Sequence, residues 1–457
     1  MNKMHRSAAS RASALGVVLA SAIVLGGCTA QGSGGGDSDD PLQQYAGTTL
    51  RVAAEDNDST TTIMQLLPEF EEETGITVEM EVLDETSLRQ KLVLDFTSGS
   101  GAYDVGELQY WFVPEFAKAG HLEPLEPLLA KTAVDQWLDI DDFPGSTLES
   151  MKFDGELYGL PVRLIAGMLY YRDDLIDSRP KTVDDVMDVV RDSAGDFEDA
   201  GAVGWTGRGN RDFSSFGSFG GWAAAYGARL FDDELHPTLT SDPAWKQALS
   251  DWIELMRDNS APGAGNMSWY EAYQQFQSGG AALMFETSDY GALFEDPAES
   301  AVVGKVGYAP PPAGPSGATA QWFFAGGYAI NADISEDQKA AASLFVQWRS
   351  SKDVFAKELK VDDAPRFTIP STTVLESQEF EDAAKAAGLE EYVLAQREAF
   401  LAMDPSYWPL IPEFIEVASA FAANVSAAIA GQMSVDQALE DSNSAIEAIM
   451  KDAGYYS

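Results

Sequence analysis

The sequence predicts an α/β protein of two bodies joined by strand crossings, the first built on an open, mostly parallel sheet. Three observations lead there. The 457 residues exceed what one hydrophobic core usually serves, and a hydrophobic fraction of 45% is enough for two. The chain opens with strand-like and helix-like periodicities in alternation, the pattern of a parallel sheet with right-handed crossovers. Finally, FDGELYGLPVRLIAGMLYYR at Phe153 to Arg172 joins two short apolar segments, Leu157 to Val162 and Leu164 to Tyr171, interrupted by Gly159, Pro161 and Gly167. Proline gives no amide to a ladder and glycine allows torsions that other residues resist. The stretch therefore reads as a crossing between two bodies, entered through a tight turn at Asp154-Gly155, and not as an uninterrupted central strand.

Taken in order, the first residues are an address. Lys3, Arg6 and Arg11 make a positive start, and Ala14 to Leu25 is an apolar run too short to span a bilayer as a helix, so residues 1–27 read as a signal peptide. The run ends at Leu25-Gly26-Gly27-Cys28, a spacing that resembles the lipobox of bacterial lipoproteins, in which the cysteine is lipidated and becomes the first mature residue. Cys28 is the only cysteine, which excludes disulfides within the chain. QGSGGGDSDD at Gln31 to Asp40 has almost nothing to bury, and a flexible tether is expected over 28–46.

The folded part then begins. Leu50, Val52 and Ala54 alternate as in a strand, and Ile63, Leu66, Leu67 and Phe70 follow at helical spacing up to a stop at Gly75. Ile76, Val78, Met80 and Val82 alternate again. Thr86 or Ser87 can cap a helix carrying Leu88, Leu92 and Phe96, and Tyr103 to Leu108 reads as a third strand. This is β-α-β-α-β, in which ligands sit beyond the carboxyl ends of the strands, here Asp56-Asn57-Asp58 and Gln109-Tyr110-Trp111.

After the crossing the pattern is mostly helical. Asp242-Pro243 starts a helix with Leu249, Trp252, Ile253 and Met256 on its apolar face, and Ser268 with Glu271 forms a capping box for Trp269 to Ser278. Ala281 to Phe285 is a short strand leading into Glu286-Thr287-Ser288-Asp289 and reads as a second crossing. Lys305 to Tyr308 and Gly327 to Ile330 read as strands on either side of PPPAGPSG. Ser335 with Gln338 and Ser434 with Gln437 box in two further helices, and Phe414 to Ala430 is another.

Composition narrows the function. There are 29 Lys+Arg against 73 Asp+Glu, and removing residues 1–27 leaves 26 basic against 73 acidic side chains, a net charge of −47. Such a surface repels nucleic acid, anionic lipid and phosphorylated ligands at long range. No G-x-S-x-G elbow, HExxH pair or G-x-x-x-x-G-K-[ST] loop is present, and Asp139-Ile140-Asp141-Asp142 begins like an EF-hand without its glycine and closing Glu. No cofactor or metal is expected. Paired carboxylates would suffice for a lipid-anchored glycoside hydrolase, which is the competing class, but with so many acidic residues their presence discriminates nothing. A surface adhesin would need repeats or an all-β pattern, and neither is seen.

FEEETGIT at Phe70 to Thr77, Tyr103-Asp104-Val105, DGELYGLP with LYYRDDLI, GGAALMFE at Gly279 to Glu286 and AGQMSVDQAL at Ala430 to Leu439 recur in this order in one family. Through them the whole mature chain resembles the extracellular solute-binding proteins of bacterial ABC importers, the large family that includes maltose-binding protein. SLRQKL at Ser87 to Leu92 and GARLFDDELHPTLTSDPAWKQALSDWIELM at Gly227 to Met256 resemble its sugar-alcohol (polyol) branch. The resemblance implies a type II periplasmic-binding-protein-like fold that closes over a sugar or polyol and delivers it to a two-subunit permease driven by a cytoplasmic ATPase. It implies a monomer at the extracellular face of the membrane, held by its lipid, and no enzymatic activity. An oligosaccharide is the competing ligand. The boundaries expected are an N-terminal lobe of 47–156 and 287–349, a C-terminal lobe of 162–281 and 350–457, and hinge strands at 157–161 and 282–286.

A sugar or polyol offers hydroxyls that give and accept hydrogen bonds and C–H faces that stack on rings, so its site mixes aromatics with Asp, Glu, Asn, Gln or Arg. Strand ends and crossings supply such mixtures at Asn57 and Asp58, at Gln109, Tyr110 and Trp111, and at Arg163. Further candidates are Arg208 in GRGNRD, Trp222 and Tyr226, Trp269, Glu286 and Asp289, and Trp322. Among glycines little can bury the stem of Arg208, which points it at a ligand or a carboxylate.

Overall fold

The computed structural model describes residues 40–144, 147–361, 366–404 and 407–456. The signal peptide, Cys28 and the tether up to residue 39 lie outside the described residues. Of the expected tether, the described residues from Asp40 onward are folded: Pro41–Gln43 form a 3-10 turn capped by Asp40, and Leu42 and Tyr45 pack against the core.

The strands are β1 (Thr49–Glu55), β2 (Thr77–Leu83), β3 (Val105–Gln109), β4 (Lys152–Phe153), β5 (Glu156–Leu157), β6 (Gly159–Arg172), β7 (Val203–Thr206), β8 (Ala281–Thr287), β9 (Val306–Ala309) and β10 (Phe323–Ile330). They form one sheet of order β2-β1-β3-β10-β6-β8-β7, with β9 also on β6, and a separate β4-β5 hairpin. The predicted turn closes that hairpin, with positive φ at Asp154 and Gly155. Pairing is parallel in the two wings, β2-β1-β3 and β8-β7, where helices make the crossovers. It is antiparallel through the middle, where β10 and β6 run against their neighbours.

The predicted β-α-β-α-β opening is present. The helix Asp58–Thr74 is capped at its start by the Asn57 side chain, which accepts from the Thr60 amide, and at its end by Gly75 at φ 69°. The second helix, Glu85–Ser98, is capped by Asp84, which accepts from the Ser87 amide, so the expected cap positions 86 and 87 lie inside the helix. Aspartate one residue before the helical turn meets the N3 amide directly.

The crossings differ from the expectation. β6 is one uninterrupted 14-residue strand. Its first part, Gly159–Ala166, pairs with β10, and its second part, from Gly167, pairs with β8 and β9. The change of partner falls at Gly167 and not within 157–161. Pro161 falls where the register slips, Arg163 facing Gly326 while Pro161 faces Gly327, a setting in which proline is tolerated. The expected second hinge, 282–286, lies wholly inside β8, paired on both sides with β6 and β7. β9 also stays with the second part of β6, so the chain returns to the first wing through β10 and not at residue 287. Beyond it the helix Glu336–Arg349 packs on the first wing, and so does the segment near 370, where Asp142 accepts from the Thr373 amide at 2.8 Å. The helices Phe414–Ile429 and Val435–Asp452 pack with the helix Pro243–Ile253 of the second wing.

Candidate functional site

Strand ends from both wings converge on a crevice of about 540 Å³. β3 delivers Gln109 and, one turn on, Trp111; β6 delivers Arg163 and Ile165; the loop after β7 delivers Arg208, Asn210, Asp212, Phe213 and Ser214. Asp289 and Tyr290 follow β8, Trp322 and Phe324 come with β10, and Ser268 and Trp269 open the helix Trp269–Gln277. Glu55, Glu85 and Thr287 complete the lining.

The walls are aromatic. Trp111 packs edge-on against Phe324 at 5.2 Å and Phe213 at 5.7 Å, and Trp269 stacks on Tyr290 at 12° between planes. Trp269 is 46% exposed, so it forms the rim. Unpaired polar groups interrupt these rings. The Nε1–H groups of Trp111 and Trp322, Nε of Arg163, Oε1 of Gln109 and Oδ1 of Asp289 are buried without a hydrogen-bond partner among the described residues. Buried polar groups are normally satisfied, and in this crevice donors and acceptors are left open together.

The charges are arranged in two groups. Arg208 donates from Nε to Glu286 at 2.5 Å and from Nη1 to Ser214 at 3.2 Å, with its guanidinium 4.9 Å from the Trp322 ring centre. Burial pushes the Glu286 carboxyl above its ordinary range, against the opposing pull of Arg208. Arg163 sits 3.4 Å from Asp58 and 3.6 Å from Asp289, over the face of Phe324. For Asp58, burial acts upward, but Arg163 and Arg366 together hold the carboxyl below its usual value. Burial pushes Glu55 up to about 7, with Arg163 opposing and Glu107 adding to the rise. Among the described residues no group of three or more His, Cys, Asp or Glu is arranged to hold a metal ion.

Of the residues singled out from the sequence, the crevice brings together Gln109, Trp111, Arg163, Arg208, Trp269, Asp289 and Trp322. Asn57 caps its helix and donates to Glu107 at 3.2 Å, Asp58 stands behind Arg163, and Glu286 stands behind Arg208. Tyr110, Trp222 and Tyr226 are elsewhere. Tyr110 is fully buried and donates to the Phe323 carbonyl at 3.1 Å; Trp222 packs between Trp205 and Trp252 in the core; Tyr226 bonds Asp251 at 2.5 Å. Side chains successive along the chain cannot all face one way, so Trp111 takes the crevice and Tyr110 the core. Trp222 belongs to the helix Ser215–Ala224, every residue of which is buried. Glu55, Asn210, Phe213, Tyr290 and Phe324 were not foreseen. Glu55 ends β1, and Tyr290 adjoins a named aspartate, so position at a strand end was the available signal.

Residues 53–354 match the model of the family described as bacterial extracellular solute-binding protein. A mannitol-binding protein of Pseudomonas aeruginosa is 28% identical over 438 residues, 91% of this chain and 96% of that protein. An erythritol/L-threitol-binding protein of Mycolicibacterium smegmatis is 25% identical over 344 residues, 70% of each chain. Among solved structures, an ABC transporter solute-binding protein from Agrobacterium vitis with bound D-mannitol is similar with a TM-score of 0.71 and 27% identity, covering 90% of this chain and 100% of that one.

Proposed function

The chain belongs to the bacterial extracellular solute-binding proteins, and we propose that it is the lipid-anchored receptor of an ABC importer that captures a sugar alcohol and hands it to the permease. The observation that carries this reading is the crevice itself. Donors on Trp111, Trp322 and Arg163 and acceptors on Gln109 and Asp289 that make no hydrogen bond among the described residues share this crevice with indole and phenyl faces, a set that complements a chain of hydroxyl-bearing carbons. An anionic ligand would meet Glu55, Glu85, Asp212 and Asp289. The polyols named for the Pseudomonas and Mycolicibacterium relatives, and the mannitol bound in the Agrobacterium structure, support this chemistry.

Capture works by closure. β6 runs through both lobes, so a small change of twist near Gly167 moves the Trp111 and Arg163 side of the crevice toward the Arg208 and Trp269 side. A ligand touching both sides adds contacts that only the closed form offers, and the population shifts toward it. The permease then meets the closed shape. Cys28 carries the lipid, and the Gly-Ser tether holds the lobes away from the membrane. No step requires bond cleavage, and no turnover of a glycoside is expected.

The test is a thermal-shift panel on residues 29–457 with mannitol, sorbitol, arabitol and xylitol beside glucose, maltose, trehalose and longer oligosaccharides. A ligand at about a hundred times its Kd adds about 2.7 kcal/mol of apparent stability. Response to a polyol alone supports the reading; response to oligosaccharides alone keeps the family and removes the polyol; product formation moves the chain to the enzymes. Trp111→Ala, Trp322→Ala and Arg208→Ala should each weaken polyol binding by calorimetry, and unchanged affinity in all three would remove these residues from the site.

A further inference from the structure

Behind the ligand-facing rings lies a helix with an unusual sequence, SFGSFGGWAA at Ser215–Ala224, every residue of which is buried. Its three glycines lower helix propensity, so some other gain must keep them there. Two of them face the chain leading into β10. A Cβ at Gly217 would fall inside the Trp322 ring, and one at Gly221 would fall on the Gln321 carbonyl. The bare helix face is thus the seat of the Trp322 indole, secured by the Gln321 amide donating to the Gly221 carbonyl at 2.9 Å. From the other side Tyr407 donates its hydroxyl to the Gly217 carbonyl at 3.3 Å. Its neighbour Trp408 is 1% exposed and does not line the crevice. The Trp408 ring lies 5.7 Å from Trp322 and 6.0 Å from Trp111, stacked on the latter at 28° between planes. Trp111 follows β3 in one wing, whereas Trp322 is seated on a helix of the other, so one hidden indole supports rings from both.

We propose that Gly217 and Trp408 are positioning residues that set ligand affinity from behind the crevice: the glycine by seating Trp322, the indole by holding Trp322 and Trp111 in a fixed relation. Neither touches the ligand. The proposal rests on the crevice being the ligand site. A misplaced ring forfeits stacking and the hydrogen bond of its Nε1–H, which corresponds to an affinity loss of about tenfold per ring.

The experiment compares Gly217→Ala, Trp408→Phe, Trp322→Phe and the Gly217→Ala/Trp322→Phe double variant in residues 29–457, which retain the whole compact unit Ser38–Ser457. Mannitol titration and near-ultraviolet circular dichroism of the ligand-free protein are recorded for each. Gly217→Ala and Trp408→Phe are expected to weaken binding about tenfold. Gly217→Ala should do nothing further once Trp322→Phe has removed the outer ring that its methyl would strike, and both single changes at 217 and 322 should lose the same near-ultraviolet band. An equal loss from Gly217→Ala in both backgrounds, or a wild-type spectrum with wild-type affinity in Gly217→Ala and Trp408→Phe, overturns the proposal. Should the unaltered protein bind no sugar or polyol, the ligand assignment falls, while the spectra still decide whether these residues set the rings. Trp408→Phe keeps an aromatic ring in the core while leaving part of the indole's space empty, and gives the answer where Gly217→Ala does not fold.

Discussion

The two arginines of the crevice are held in opposite ways. Arg208 is locked: its Nε meets the fully buried Glu286 at 2.5 Å, Ser214 takes a second donor, and Trp322 covers the plane. Arg163 is shared: Asp58 from the first wing stands 3.4 Å away, Asp289 beyond β8 stands 3.6 Å away, and its Nε makes no hydrogen bond among the described residues. A guanidinium anchored on a buried carboxylate holds its remaining N–H groups in a fixed wall, whereas one poised between carboxylates of both wings can exchange a weak ion pair for a ligand hydroxyl during closure.

Breaking the locked pair should have the largest effect on stability. Glu286→Gln leaves a buried guanidinium that cannot lose its proton, and a cost of about 3–5 kcal/mol is expected in urea denaturation. Arg208→Met should cost less, because the Glu286 carboxyl, already raised by burial, can take up a proton. The two variants separate on acidification: the Arg208→Met deficit shrinks from pH 7 to pH 5, and the Glu286→Gln deficit does not. Equal deficits at both pH values would mean that the pair is not desolvated.

Arg163→Met should show the reverse balance, a stability cost of only about 1–2 kcal/mol with a larger proportional loss of polyol affinity. Without the guanidinium, Asp58, Asp289 and Glu55 face one another, so this deficit too should ease as pH falls. Calorimetric titration beside denaturation reads both quantities. A stability loss as large as that of Glu286→Gln, with affinity retained, would make Arg163 a second lock.

The regular first wing was legible because its strands and helices bury one face each, and Leu50, Val52, Ile63, Phe70 and Gly75 carry that period openly. β6 was not, since Pro161 and Gly159 look like breaks until the partner strand supplies a slip in register at Gly326 and Gly327. β8 looked like a crossing because its apolar run ends in charge, yet Glu286 is buried by an arginine more than seventy residues away in sequence. Arg208 was foreseen as bound to a ligand or a carboxylate, and the carboxylate is Glu286. Trp408 carried no local signal at all. With 10 tryptophans and 16 tyrosines, only the fold tells the ring under the crevice from the rings in it.

The last contrast concerns Glu55 on the Arg163 side, which burial raises as it raises Glu286 beside Arg208, and whose effect is read from the pH dependence of stability. Burial comes first in raising it to about 7, and the neighbouring Glu107 adds to the rise. An unfolded glutamate titrates near 4.5, so the folded chain holds this proton across a window that the unfolded chain has already left. The stabilising contribution is complete below pH 4.5 and declines as pH rises, until above about 7 it is lost. Within the window the slope of unfolding free energy approaches about −1.4 kcal/mol per pH unit from this group alone. Glu55→Gln should flatten that part of the curve and make the protein relatively more stable at pH 8, with little change at pH 4. Carboxylates held below their usual value, such as Asp58, act with the opposite sign, so the difference between variant and parent isolates the Glu55 contribution. The same proton lets Glu55 donate below about pH 7 and only accept above it, so polyol affinity in the parent, and not in Glu55→Gln, should change across this range. A parallel pH profile in the two proteins would show that Glu55 is solvated and ordinary, and would leave Arg163 with one carboxylate fewer to be shared among.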